Sequence, residues 1–156
     1  VVMYFTNYSD HDLDAVYAMQ MDDSTVTGLS DAGAHVTVIF DAVAPTYSLT
    51  HWVKGRTRGP RLPLERVVAR QTRRTADLFG FRDRGSLEVG LRADVNVIDF
   101  DRLALGGLEI HRDLPAGGAR LLQPAQGYVG TWVAGVRTRE HDRDTGARPG
   151  RLLRSA

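Results

Sequence analysis

Thr25-Val26-Thr27-Gly28-Leu29-Ser30-Asp31-Ala32-Gly33-Ala34-His35 is the stretch on which the fold turns. Its first five residues are short, β-branched and apolar, which suits a buried strand, and the next six are turn formers. Ahead of it, Ser9-Asp10-His11-Asp12 suits a helix start, with Ser9 as cap and acid in the first turn. Leu13, Val16, Tyr17 and Gln20 then fall at i, i+3, i+4 and i+7, a mostly apolar face that ends near Asp22. Helix, strand, polar loop is the order of a βα unit. In parallel-sheet and barrel enzymes the loop beyond a strand's C-terminal end carries the chemistry.

Downstream, Pro45 suits the first turn of a second helix, with Leu49, Trp52 and Val53 on its buried face. Pro63 opens a third with Leu64, Val67 and Val68, and a short fourth over residues 75–79 stops at Gly80. From Asp83 the pattern becomes β: residues 86–89 between two glycines, 93–100 through Val95 and Val97, 120–123 and 128–133. Ala134-Gly135 suits the turn of a hairpin joining 130–133 to 136–139. Leu114-Pro115-Ala116-Gly117-Gly118 reads as a tight turn, lacking the Lys-Ser/Thr ending of a phosphate loop. The polar, Arg-rich residues 140–156 predict an extended or mobile tail.

Composition narrows the function classes. The chain has 156 residues, 42% hydrophobic and 25% charged, as a folded globular chain does. Its formal net charge of +1 supplies no broad basic field for nucleic acid. Arg-rich residues 56–61 and 70–74, in a chain of near-zero net charge, read as solvated helix faces. The absence of cysteine excludes disulfides, a thiol nucleophile and thiolate metal sites, and suits a reducing cytoplasm. Apolar runs such as residues 36–40 fall short of the roughly 20 residues of a membrane span. A start at Val1 without a signal-peptide pattern reads as a truncated or processed longer chain.

Asp31 leads the candidate residues, because it is an acid placed directly after the strand in a glycine-containing loop. Its context alone fits a turn-ordering or capping aspartate equally well. His35, four residues on, is a structural or substrate-facing histidine, since Asp-x-x-x-His outside a helix is a weak metal signature. His11, in a helix's first turn, and His141, in the tail, suit solvated positions, and His51 beside Trp52 suits packing. No His-x-His, His-Glu-x-x-His or Gly-x-Ser-x-Gly occurs.

The opening run resembles the strand-eight segment of the amidohydrolases that include D-aminoacylases and N-acyl-D-amino-acid deacylases. Thr72, Thr75, Ala76, Leu78 and Gly80, then Asp83-Arg84-Gly85, Leu87, Gly90 and Ala93-Asp94, followed by Val95-Asn96-Val97-Ile98-Asp99, resemble the tail shared across that superfamily. Asp113-Leu114-Pro115-Ala116-Gly117-Gly118 and residues 127–135 are similar to the deacylase subgroup's closing strands.

The resemblance implies an α/β fold: the terminal part of a (β/α)8 barrel over residues 1–80, part of a small β-sandwich over 81–139, and a polar tail over 140–156. It implies a zinc-dependent hydrolase of a non-peptide carbon-nitrogen bond, with an N-acyl-D-amino acid or similar small amide as substrate. Asp31 maps to the aspartate that binds or approaches the metal and handles the proton of the attacking water. The family's other ligands, a His-x-His, a bridging Cys, Glu or Lys and two later histidines, have no counterparts here. Asp31 with His35 or His51 would make at most two or three ligands, so this chain alone is expected to bind zinc weakly and to need the N-terminal part of the barrel as its partner. A hydantoinase-like cyclic-amide hydrolase, or a non-catalytic subunit that binds a partner, are the alternative readings.

Overall fold

The computed structural model describes residues 12–28 and 30–154. The expected Ser9 cap, His11 and Leu29 lie outside them. Helix α1 spans Asp14–Met21, and the Asp14 amide donates to Asp12 Oδ1 at 2.8 Å, so Asp12 meets one of the helix's orphan N–H groups. Leu13, Val16, Tyr17 and Met21 face the core. Met21, not Gln20, completes the stripe.

Two arginines close the other end of α1. Arg66 donates to the carbonyls of Gln20 at 3.1 Å and Met21 at 2.5 Å. Arg70 donates to Gln20 at 2.7 Å, to Asp22 at 3.3 Å and to Thr25 Oγ1 at 2.9 Å. This corrects the expectation of solvated arginine faces, because Arg70 and Arg56 are each only 3% exposed. A helix C-terminus presents unpaired carbonyls at the negative end of its dipole, and the guanidinium fork supplies several donors at once.

Residues 25–28 form no strand, contrary to expectation. A strand needs a ladder partner, and among the described residues none pairs with them. Thr25 Oγ1 donates instead to the Met19 carbonyl at 2.5 Å, closing the helix.

A second helical stretch begins with a 3₁₀ turn at Asp41–Val43, continues as α2 at Ala44–Tyr47 with Pro45 in its first turn, and widens to a π-helix at Ser48–Gly55. The wide register shows in the bond from the Arg56 amide to the His51 carbonyl at 2.7 Å. Pro63 sits in extended backbone at the N-cap of α3, Leu64–Gln71, one place earlier than the first helical turn. Helix α4 covers Arg73–Leu78, and Gly80 follows at φ 72°. Leu49, Trp52, Leu62, Val67 and Leu103 form the buried core, with Ile98, Phe100 and Tyr128 packed on it from the β half. Thr46 and Tyr128 share a hydroxyl hydrogen bond at 2.7 Å, and Lys54 donates to the Phe100 and Asp101 carbonyls at 2.9 and 2.7 Å.

Among the described residues there are eight strands, β1 Val95–Ile98, β2 Ala104–Leu105, β3 Glu109–Leu114, β4 Gly118–Leu122, β5 Ala125–Gln126, β6 Tyr128–Val133, β7 Val136–Glu140 and β8 Arg143–Asp144. They make a four-stranded sheet ordered β1-β6-β7-β8 and two pairs, β2-β5 and β3-β4, all antiparallel. The β6-β7 hairpin turns through Ala134 and Gly135, both at positive φ (51° and 77°), as a two-residue turn of matching twist requires. Gly127, at φ 102°, admits no side chain, because a Cβ there would sit 2.8 Å from Leu103 Cα. The 3₁₀ turn Pro115–Gly117 joins β3 to β4.

Two β expectations need correction. Residues 86–89 pair with nothing among the described residues and leave Leu87 and Val89 exposed. The tail is ordered at its start: β8 pairs with β7, and Asp142 accepts the amides of Gly127 at 3.1 Å and Tyr128 at 2.7 Å. Residues 145–154 have no regular structure. The fold is thus mixed helix and sheet, with six buried apolar residues against seventeen exposed large ones among those described.

Candidate functional site

Ser30 to Ala34 turns sharply. The Ala34 amide donates to the Asp31 carbonyl at 3.0 Å, Gly33 takes φ 99°, and His35 follows at φ 43°. The His35 carbonyl accepts the amides of Val38 and Ile39 at 2.8 and 3.0 Å, and the Val36 carbonyl accepts the Leu121 amide of β4 at 2.8 Å. The turn is therefore closed by the residues that follow it and tied to the β3-β4 hairpin. Asp31 and His35 are exposed.

Asp41, which opens the next helical stretch, was not singled out in the sequence. Its Oδ2 accepts the Asp31 amide at 3.1 Å, and its Oδ1 is buried without a hydrogen-bond partner among the described residues. The signal available was its position: an acid just ahead of a proline-opened helix often ends up capping or bracing a neighbouring loop.

Among the described residues, His51, His111 and His141 each have their own local partners. The His51 ring stacks on Tyr47 with centroids 4.9 Å apart and meets Trp52 edge-on at 5.3 Å, as a packing histidine. Burial, and then the positive charge of Arg56, hold its pKa below the ordinary imidazole value. Burial raises the Tyr47 hydroxyl in turn. His111 pairs with Glu109 at 2.8 Å on β3. His141 is held in the β7-β8 turn, its amide donating to the Val129 carbonyl at 3.0 Å, which corrects its assignment to a mobile tail.

Two cavities lie away from Asp31. One of about 120 Å³ is lined by Leu13, His51 and Gly55 to Arg58, and an open groove of about 390 Å³ runs beside Phe81, Arg84 and Arg92. Among the described residues no three His, Asp or Glu side chains come close enough to hold a metal ion. The donors present therefore do not fit a complete zinc centre, which needs three protein ligands. What the turn offers is one exposed carboxylate on a braced backbone, an arrangement suited to moving a proton or lending a single ligand.

Residues 5–139 match the family model described as the amidohydrolase family, and the chain belongs to that family. Comparison with curated proteins and with solved structures finds no match. Membership indicates a hydrolase of amide bonds, in a family generally dependent on metal. Among the described residues no helix is long and apolar enough to cross a membrane.

Proposed function

We propose that this chain is the closing part of an amidohydrolase of the D-aminoacylase kind, which cleaves the amide of an N-acyl-D-amino acid. In this reading residues 1–80 complete a (β/α)8 barrel, residues 81–139 contribute to a β-sandwich, and the remainder of the barrel is the partner. The observation that carries it is Asp31: an exposed carboxylate, in the segment of the family match, on a turn whose backbone is held from both sides. The small buried core, six apolar residues among those described, is in keeping with a barrel completed by other chain.

Asp31 accepts the proton of the water that attacks the amide carbon and returns it to the leaving nitrogen, so one carboxylate serves as base and then as acid. His35, four residues along the same loop, faces the substrate. The metal is zinc, with its other ligands drawn from outside this chain. Cysteine-free composition suits the cytoplasm.

The test is a substrate panel on the assembled enzyme, with this chain alone beside it. Release of free amino acid from N-acetyl-D-amino acids, little from the L-forms and none from cyclic amides is expected. Ring opening of a hydantoin instead would assign the cyclic-amide class, and no turnover of any amide by a metal-loaded assembly would leave a non-catalytic subunit. This chain alone, after dialysis, should retain less than stoichiometric zinc.

A further inference from the structure

Asp41 does something that a turn brace alone does not require. An uncharged acceptor would also hold the Asp31 amide, though less strongly, yet the residue is a carboxylate whose second oxygen, Oδ1, is buried and unpartnered among the described residues. Leaving a buried acceptor unpaired is costly, and such an atom in a folded protein calls for an explanation such as a functional role. The contact is also non-local. It spans ten residues and crosses from the start of the helical stretch Asp41–Gly55 to the one peptide whose side chain is the proposed base.

That stretch is in turn anchored to the core by Leu49 and Trp52 and to the β half by the Thr46–Tyr128 hydrogen bond. Asp41 is therefore where the rigid part of the molecule grips the turn. The grip acts on the Asp31 backbone and leaves its carboxylate free to reach substrate. Among the described residues, no hydrogen bond restrains the Asp31 side chain itself, so the direction of the carboxylate depends on the backbone that Asp41 holds.

We propose that Asp41 is a positioning residue for the amide hydrolysis described above. Its Oδ2 fixes the Asp31 peptide and so aims the Asp31 carboxylate at the water, and its Oδ1 takes an N–H or O–H donor when the rest of the site is in place. The proposal rests on the Asp31 reading.

Two measurements test it. In this chain, hydrogen exchange at the Asp31 amide should quicken about tenfold or more in Asp41→Ala and stay slow in Asp41→Asn, which keeps one acceptor. In the assembled enzyme with N-acetyl-D-amino acids, both variants should lower kcat about tenfold or more while KM stays within about twofold, because misaimed groups slow the chemical step more than binding. Asparagine falls with alanine because it puts a donor where Oδ1 needs one.

A purely structural Asp41 would instead reduce the folded fraction and leave kcat per folded molecule unchanged, and that result overturns the proposal. So does Asp31 exchange that is indifferent to Asp41→Ala. Should Asp41→Ala fail to fold, Asp41→Ser, a shorter acceptor, is read in the same two assays. Asp31→Asn is the control: if it too leaves kcat intact, the Asp31 reading has failed, whereas a slow Asp31→Asn beside an unaffected Asp41→Ala sinks the Asp41 proposal alone.

Discussion

Replacing Arg70 by methionine keeps the apolar stem and removes the guanidinium that closes helix α1. The strongest of its bonds is to the Gln20 carbonyl at 2.7 Å, a charge-assisted contact in a residue 3% exposed, on a scale of about 1.5–3 kcal/mol. Gln20 is not orphaned by the change, because Arg66 still donates to it at 3.1 Å. The Asp22 carbonyl loses a donor at 3.3 Å, and Thr25 Oγ1 loses one at 2.9 Å. Against these losses stands relief of an incompletely paired cation. Arg70 Nε is buried without a partner, and burial, followed by repulsion from Arg66 and Arg74, depresses the guanidinium pKa. The balance is a destabilisation of about 2 kcal/mol.

Urea unfolding followed by far-UV circular dichroism measures it, with Arg74→Met as the comparison. Arg74 pairs with Asp23, which is 79% exposed, so its loss should cost at most about 1 kcal/mol. Equal unfolding free energies for the two variants, within about 0.5 kcal/mol, would refute the clamp and return Arg70 to the status of a solvated helix residue.

Ala134 occupies left-handed backbone at φ 51°, so Ala134→Asn should stabilise the hairpin by about 0.5–1 kcal/mol in the same urea assay. Because the folded protein holds the His51 pKa below the ordinary 6.5, it binds that proton less readily than the unfolded chain does. The His51 contribution is therefore complete above 6.5 and lost as pH falls toward the folded value, so the parent should lose more stability than His51→Phe between about pH 7.5 and about pH 5. Asp144 is held at about 2 by the Arg148 guanidinium and then by the Gly146 amide. Arg148→Ala should bring its carboxyl titration up toward the ordinary 3.8 in an NMR experiment, and an unmoved midpoint would assign the shift to the backbone donor.

Much of the β half and the helix starts could be read directly, because their determinants are local. Tyr128–Val133 and the Ala134-Gly135 hairpin follow from alternation and a turn dipeptide, and Pro45 and Pro63 mark helix starts to within a residue. What stayed hidden depends on distant partners. Arg70 looks like any surface arginine until the carbonyls of Gln20 and Asp22, about fifty residues away, are brought beside it. Residues 25–28 have strand composition, yet composition supplies no ladder partner. The ordered start of the tail rests on Asp142 reaching back to Gly127 and Tyr128. The turn at residues 30–35 is legible from its glycine and polar turn formers although the strand expected before it is absent, whereas the contact of Asp41 with the Asp31 amide becomes visible only in the structure.

The central claim, that Asp31 moves the proton in amide hydrolysis by this amidohydrolase, is tested most directly by turnover of Asp31→Asn in the assembled enzyme, normalised to the folded, metal-loaded fraction. The substitution keeps size and removes both charge and basicity, and the account predicts a fall of about 10²-fold or more in kcat with little change in substrate binding. A variant that stays folded, keeps its metal and hydrolyses an N-acyl-D-amino acid at the parent rate would contradict it.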